Sequence, residues 1–131
     1  MKAYWDSSAL VQAWADLELR ARLRREGGVT RTHSLSEAFS AFTGGNLGIR
    51  MDADAAAETI ESLAADLEFV DLSSAETVAA LKEARRRGVR GGRVHGFMHA
   101  VAAEKFGAKE LLTLDENDFE SLVDTVKVQM V

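Results

Sequence analysis

The sequence has no cysteine. That excludes a disulfide framework and any thiolate metal site, and it fits an intracellular, reducing setting. Long apolar runs are also missing. No stretch approaches the ~20 residues needed to span a bilayer. The opening Met-Lys-Ala-Tyr-Trp-Asp lacks the apolar core of a signal peptide. A soluble, cytoplasmic protein without membrane association is expected. Proline is absent too, and that carries no structural conclusion. An excess of positive charge is lacking: the net charge is −5, against a uniformly basic nucleic-acid binder. The basic residues are nevertheless uneven. Arg20, Arg22, Arg24 and Arg25 form one cluster. Arg85, Arg86, Arg87, Arg90 and Arg93 form a second, suited either to solvent or to RNA phosphates and an acidic partner.

What is present is enough apolar residue for a core. Hydrophobic residues make up 47% of 131 positions, so disorder is not expected, and the length suits one domain spanning residues 1–131. Lys2 to Trp5 reads as a short strand ending at Asp6. Ser8 to Glu26 favours one helix, stopped by Gly27 and Gly28. Val29 to His33 reads as a second strand. Ser34-Leu-Ser-Glu37 matches a capping box that opens a short helix. Asp52 or Asp54 caps a helix with Ile60, Leu63, Ala64 and Leu67 as its apolar stripe. Glu68 to Leu72 is a third strand. Ser73 and Glu76 repeat the capping box, with Val78 and Leu81 expected to face inward. Arg93 to Phe106 has the clearest helical period, and Gly107 caps it. Lys109 to Leu114 and Thr125 to Met130 complete the strands. Strands interleaved with helices predict a three-layer α/β/α sandwich around a mostly parallel sheet.

The stretch from Leu111 to Phe119 carries the functional argument. Leu111 to Leu114 is a short buried strand, and Asp115 sits at its C-terminal end, the edge where ligands bind in open α/β sheets. Asp118 follows. Asp6 ends the first strand in the same way, and Glu37 lies in the helix after the second. In a parallel sheet these acids converge on one edge. Each carboxylate pair at ~4 Å costs up to about 4 kcal/mol at an effective dielectric of ~20. A divalent cation removes that cost, and oxygen ligands without cysteine point to Mg²⁺ or Mn²⁺. Such an ion suits phosphodiester hydrolysis.

These residues also carry a family resemblance. Tyr4-Trp5-Asp6-Ser7-Ser8-Ala9-Leu10 resembles the opening strand of PIN domains. Ser36-Glu37-Ala38 resembles their second acidic motif. The run from Gly92 to Ala100 resembles the helix carrying the third acid, and Leu112 to Phe119 the segment carrying the fourth. The order and the chain length are similar to those of VapC-type toxins of VapBC toxin–antitoxin pairs. The resemblance implies a PIN-like fold and a Mg²⁺- or Mn²⁺-dependent endoribonuclease that acts on RNA. It also implies a cognate antitoxin and a homodimer. Carried over, Asp6, Glu37 and Asp115 are metal ligands and, with Asp118, the catalytic acids. At the third acidic position this chain has Gly96. The face through it reads Gly96, Ala100, Ala103 and Gly107, all small, with His95 on another face. An impaired enzyme is therefore expected, or a PIN-fold binding module that docks an antitoxin or RNA.

Simpler roles stand beside these. Asp6 suits a helix cap, Glu37 the third position of its capping box, and Asp115 or Asp118 a cap on the segment that follows. His33, His95 and His99 offer a histidine metal site that hard-cation chemistry does not need. A receiver-like phosphoacceptor domain would carry a lysine near the end of its last core strand, where this chain has Thr113 to Asp115.

Overall fold

The computed structural model describes residues 2–119, 122 and 125–131, with backbone only at Asp118. Five strands form one sheet: β1 (Tyr4–Trp5), β2 (Gly28–Thr30), β3 (Leu67–Phe69), β4 (Glu110–Thr113) and β5 (Lys127–Met130). Their order is β3-β2-β1-β4-β5, and every pairing is parallel. The helices are α1 (Ser7–Ala15), α2 (Leu17–Glu26), α3 (His33–Gly44), α4 (Ala53–Ala64), α5 (Ser74–Lys82) and α6 (Val94–Phe106).

Strand alternation divides the core. Side chains one residue apart on a strand point to opposite faces. Tyr4 and Leu111 therefore join Val29, Phe97, Met98 and Ala100 on the α6 side. Trp5 and Leu112 join Leu10, Leu23, Phe42 and Leu63 on the side of α1 to α4. Each fully buried leucine contributes about 1.5–3 kcal/mol. The result is the predicted three-layer α/β/α sandwich, with the sheet parallel throughout.

Local chemistry moves several boundaries. The helix expected over Ser8 to Glu26 is two helices. Asp16 adopts an extended backbone (φ −119°, ψ 110°) and its side chain accepts the amide of Leu19, so one residue ends α1 and caps α2. At Gly28 the backbone passes the indole of Trp5 so closely that a Cβ would stand 2.7 Å from the ring, which only glycine permits. The strand expected to run to His33 stops at Thr30, because His33 already belongs to α3. Thr32 is pinned there by Asp71, whose carboxylate accepts both its amide (2.8 Å) and its hydroxyl (2.6 Å). Ser34 is therefore not an N-cap; its hydroxyl accepts a bond from Thr30. The Ser73–Glu76 capping box is formed as expected, and Asp52 caps α4.

Val78 and Leu81 do not face inward: they are 52% and 44% exposed. The docked side of α5 is made by small residues, with Ala80, and Ala84 just beyond the helix, against the core. Of the described residues, no helix is long and apolar enough to cross a membrane.

Candidate active site at the C-terminal edge of the sheet

The pairing of β1 with β4 sets Trp5 beside Leu112. The amide of Asp6 continues the ladder by donating to the carbonyl of Leu112 at 3.1 Å. Asp6 and Asp115 thus leave neighbouring strands at the same edge. Asp6 is 6% exposed. Its Oδ1 accepts the amide of Ala9 at 2.9 Å, capping α1, and the hydroxyl of Ser8 at 2.7 Å. The helix-cap reading of Asp6 is therefore correct as far as it goes.

Ser8 links the two strand ends. A serine hydroxyl has one proton and two lone pairs. The proton goes to Asp6, so Ser8 Oγ accepts from both the amide of Leu114 (3.0 Å) and the hydroxyl of Thr113 (3.3 Å). Thr113 Oγ1 in turn accepts the amide of Asp115 at 3.2 Å. Asp115 is exposed, and its Oδ1 accepts the amide of Asn117 at 3.0 Å, a local turn bond of the kind expected for a capping role. Asp118 lies on the same 3₁₀ turn, Glu116–Phe119, but its side chain falls outside the described residues.

Glu37 reaches the edge from α3. It sits in the second turn, so it is not the third residue of a capping box and its carboxylate is free of that duty. Oε1 lies 2.9 Å from Nε2 of His99, which is buried. The two atoms are close but misaligned for a hydrogen bond, and neither has another partner; we read the contact as a charge–dipole approach. On the far side of the ring, Nδ1 is 2.7 Å from the hydroxyl of Tyr4. A buried chain therefore runs from Tyr4 on the central strand through His99 on α6 to Glu37. Burial opposes ionisation of Glu37. The approach of His99 and the positive potential of His99, His33 and Arg31 outweigh it, and hold the carboxyl below its ordinary range. Burial pushes the Tyr4 hydroxyl far up, so it remains a protonated donor.

Among the described residues, three potential ligands with donor atoms within 4.8 Å of one another occur at one place: His33, Glu37 and His95. The expected trio of Asp6, Glu37 and Asp115 is not drawn together to that degree. His95, expected on a different face of its helix from Gly96, points toward α3, into a cleft of about 450 Å³ that His33 and Glu37 also line. A sequence signal for this grouping existed. His33 and Glu37 are four residues apart, one helical turn, once α3 is known to begin at His33.

Gly96 is half-buried in the first turn of α6 and lines a smaller cleft with Gly92, Arg93 and His95. Ala100 and Ala103, on its side of the helix, are fully buried. The expected small-residue face is thus in place. Of the second arginine cluster, Arg85, Arg86 and Arg90 are exposed, Arg87 and Arg93 half-buried, and Arg86 pairs with Glu83 at 2.5 Å. The first cluster is largely consumed by ion pairs: Arg20 with Asp66, Arg22 with Glu110 and Glu26, Arg25 with Glu26.

No protein-family model matches the sequence, and no curated protein matches it. Solved structures do. The chain superposes on PAE2754 from Pyrobaculum aerophilum with a TM-score of 0.70 at 17% identity, over 98% of this chain and 89% of that one. It superposes on VapBC2 from Rickettsia felis, solved bound to a DNA fragment from their promoter, with a TM-score of 0.73 at 13% identity, over 100% and 99%. The likeness is one of fold, and the fold is PIN-like.

Proposed function

We propose that this chain is a toxin-type PIN endoribonuclease whose hydrolysis of RNA phosphodiesters is weakened by glycine at position 96. The observation that carries the reading is the locked pair of strand ends. Asp6 and Asp115 emerge side by side, tied by Ser8 and Thr113. Beyond their local cap and turn bonds, both acids stand at the carboxyl edge of the parallel sheet, where ligands bind in α/β folds.

The donors fit a hard divalent ion in part. Asp6 and Asp115 each have Oδ1 engaged, which leaves Oδ2 on each for a ligand. Glu37 is ionised and adds a third oxygen. Position 96 supplies none. Asp6, Glu37 and Asp115 would hold Mg²⁺ or Mn²⁺, with Asp118 as a supporting acid. When bound, the ion would supply a more acidic water and charge neutralisation at phosphorus. The chain's own residues do the rest. Ser8 and Ala9 fix the Asp6 carboxylate against rotation. His99, braced by Tyr4, stands against Glu37 and favours its charged form. Arg85, Arg86, Arg87, Arg90 and Arg93 offer positive charge for the RNA backbone.

The fold likeness to VapBC2 supports a cognate antitoxin as partner; a homodimer and a cytoplasmic site of action belong to the same reading. One observation favours a second reading, a PIN-fold binding module without activity: glycine at position 96 removes a ligand and leaves the buried Ala100 and Ala103 packing intact.

The test is Mn²⁺-dependent RNA cleavage by the natural chain and by Gly96→Asp, with Asp6→Asn added to each. Gain of cleavage in Gly96→Asp, lost again with Asp6→Asn, is expected. Equal cleavage with and without the new acid would overturn the impairment at position 96; no cleavage by either chain, or cleavage that survives Asp6→Asn, would overturn the nuclease reading.

A further inference from the structure

We infer that His33, Glu37 and His95 form a second kind of metal site, one for a divalent transition ion of the Zn²⁺ class rather than for Mg²⁺. The inference does not rest on the nuclease reading, with which it shares only Glu37.

Four features support it. First, the donor set is two imidazole nitrogens and one carboxylate oxygen. Mg²⁺ takes oxygen ligands and dehydrates reluctantly, whereas imidazole favours later transition metals. Two histidines with one glutamate, plus a water, is an established ligand set for catalytic zinc.

Second, the spacing is suitable. Tetrahedral ligands at ~2.0–2.1 Å from zinc stand roughly 3.3–3.5 Å apart. The three donors lie within 4.8 Å of one another. The remaining distance closes by side-chain rotation, since His33 and His95 are both exposed. His33 and Glu37 come from adjacent turns of α3, and His95 from the first turn of α6. Two rigid elements therefore present the ligands.

Third, the site opens to solvent. The cleft of about 450 Å³ is lined by Ser7, Ser40 and Asn46 besides the three ligands. It leaves room for a water in the fourth position.

Fourth, the carboxylate has a buried imidazole behind it. Oε1 of Glu37 faces buried His99, which Tyr4 holds from behind at 2.7 Å. Outer partners that hydrogen-bond a ligand are worth roughly 10–100-fold in metal affinity, and His99 stands 2.9 Å from the carboxylate, in place to become one. Burial of His99 means that it is in place through folding, before any ion arrives.

The oxygen site of Asp6 and Asp115 is distinct in chemistry. Glu37 cannot serve both ions in full, so an ion of the Zn²⁺ class withdraws it from the carboxylate site.

The experiment is calorimetric titration of the full chain with Zn²⁺ alone and, separately, with Mg²⁺. Co²⁺ serves as a spectroscopic reporter through its visible absorption bands. One equivalent of Zn²⁺ is expected to bind, and Co²⁺ to give the intense bands of a four-coordinate site. His33→Ala and His95→Ala should each weaken Zn²⁺ binding at least ~100-fold, taking the upper end of the outer-partner effect as a floor for a direct ligand. Both side chains are exposed, so the variants should fold, and circular dichroism checks this. Asp6→Asn and Asp115→Asn should shift Zn²⁺ affinity by less than ~3-fold, while abolishing any nuclease activity. No Zn²⁺ binding at millimolar ion overturns the inference. So does binding that survives both histidine substitutions, or that is lost in Asp6→Asn and Asp115→Asn.

Discussion

Replacing Ser8 with alanine should damage both the fold and the site. Its hydroxyl donates to the Asp6 carboxylate at 2.7 Å and accepts the Leu114 amide at 3.0 Å. A hydrogen bond to a charged group contributes about 1.5–3 kcal/mol net, and a neutral one about 0.5–1.5 kcal/mol. Ser8 is half-buried, so water takes over part of both bonds in the variant. The expected loss is then about 2 kcal/mol, toward the low end of the sum. For a chain of this size that corresponds to a fall in Tm of about 8 °C. Urea denaturation followed by circular dichroism is the direct assay, with the midpoint lowered and the slope unchanged. Thr43→Ala is a suitable control, because that hydroxyl bonds back to the carbonyl of Phe39 within its own helix. Such a bond contributes little, and its loss should cost less than about 0.5 kcal/mol. If Ser8→Ala is as mild as Thr43→Ala, the hydroxyl does not tie the strand ends together, and the structural basis for pairing Asp6 with Asp115 fails.

Further predictions follow from other contacts. Tyr4→Phe removes the group that holds Nδ1 of His99 and leaves a buried nitrogen unpartnered; it should cost about 1–3 kcal/mol in urea unfolding. The carboxyl of Glu76 is lowered from its ordinary 4.5 to about 2 by Lys105 and by the amide of Ser73. A depressed folded-state value means stability that is fully present above pH 4.5 and lost as pH falls toward 2. Glu76→Gln should flatten the acid side of the stability–pH curve in that window, as read by thermal unfolding at a series of pH values.

The sheet and the edge acids were legible because their signals are local. An apolar run followed at once by an acid identifies Asp6 and Asp115, and helical spacing identifies α6. The capping box at Ser73 was legible for the same reason, since both partners lie within four residues. The matching pattern at Ser34 misled, because the start of α3 is set by Asp71, 39 residues from Thr32 in the chain. Val78 and Leu81 were misjudged because periodicity tells which residues share a face, not which face docks. The approach of His95 to Glu37 depends on how two helices cross the same edge. The contact of His99 with Tyr4 spans 95 residues. Neither could be read from spacing along the chain.

The sheet order has a consequence for when the site comes into being. The strand at the centre is the first to be synthesised, and one of its two neighbours is nearly the last. The bond from Leu114 to Ser8 closes a loop of 106 residues. At ~5–20 residues per second, the ribosome needs roughly 5–20 s to span that interval. Once β2 has been made, β1 has it on one side and an open edge on the other, and throughout the interval Asp6 has no Asp115 beside it. Non-local parallel pairing of this kind is also intrinsically slow. The acidic edge is therefore assembled late, after almost all the described chain has been made, and a partner that grips the earlier helices has time to arrive before the site exists.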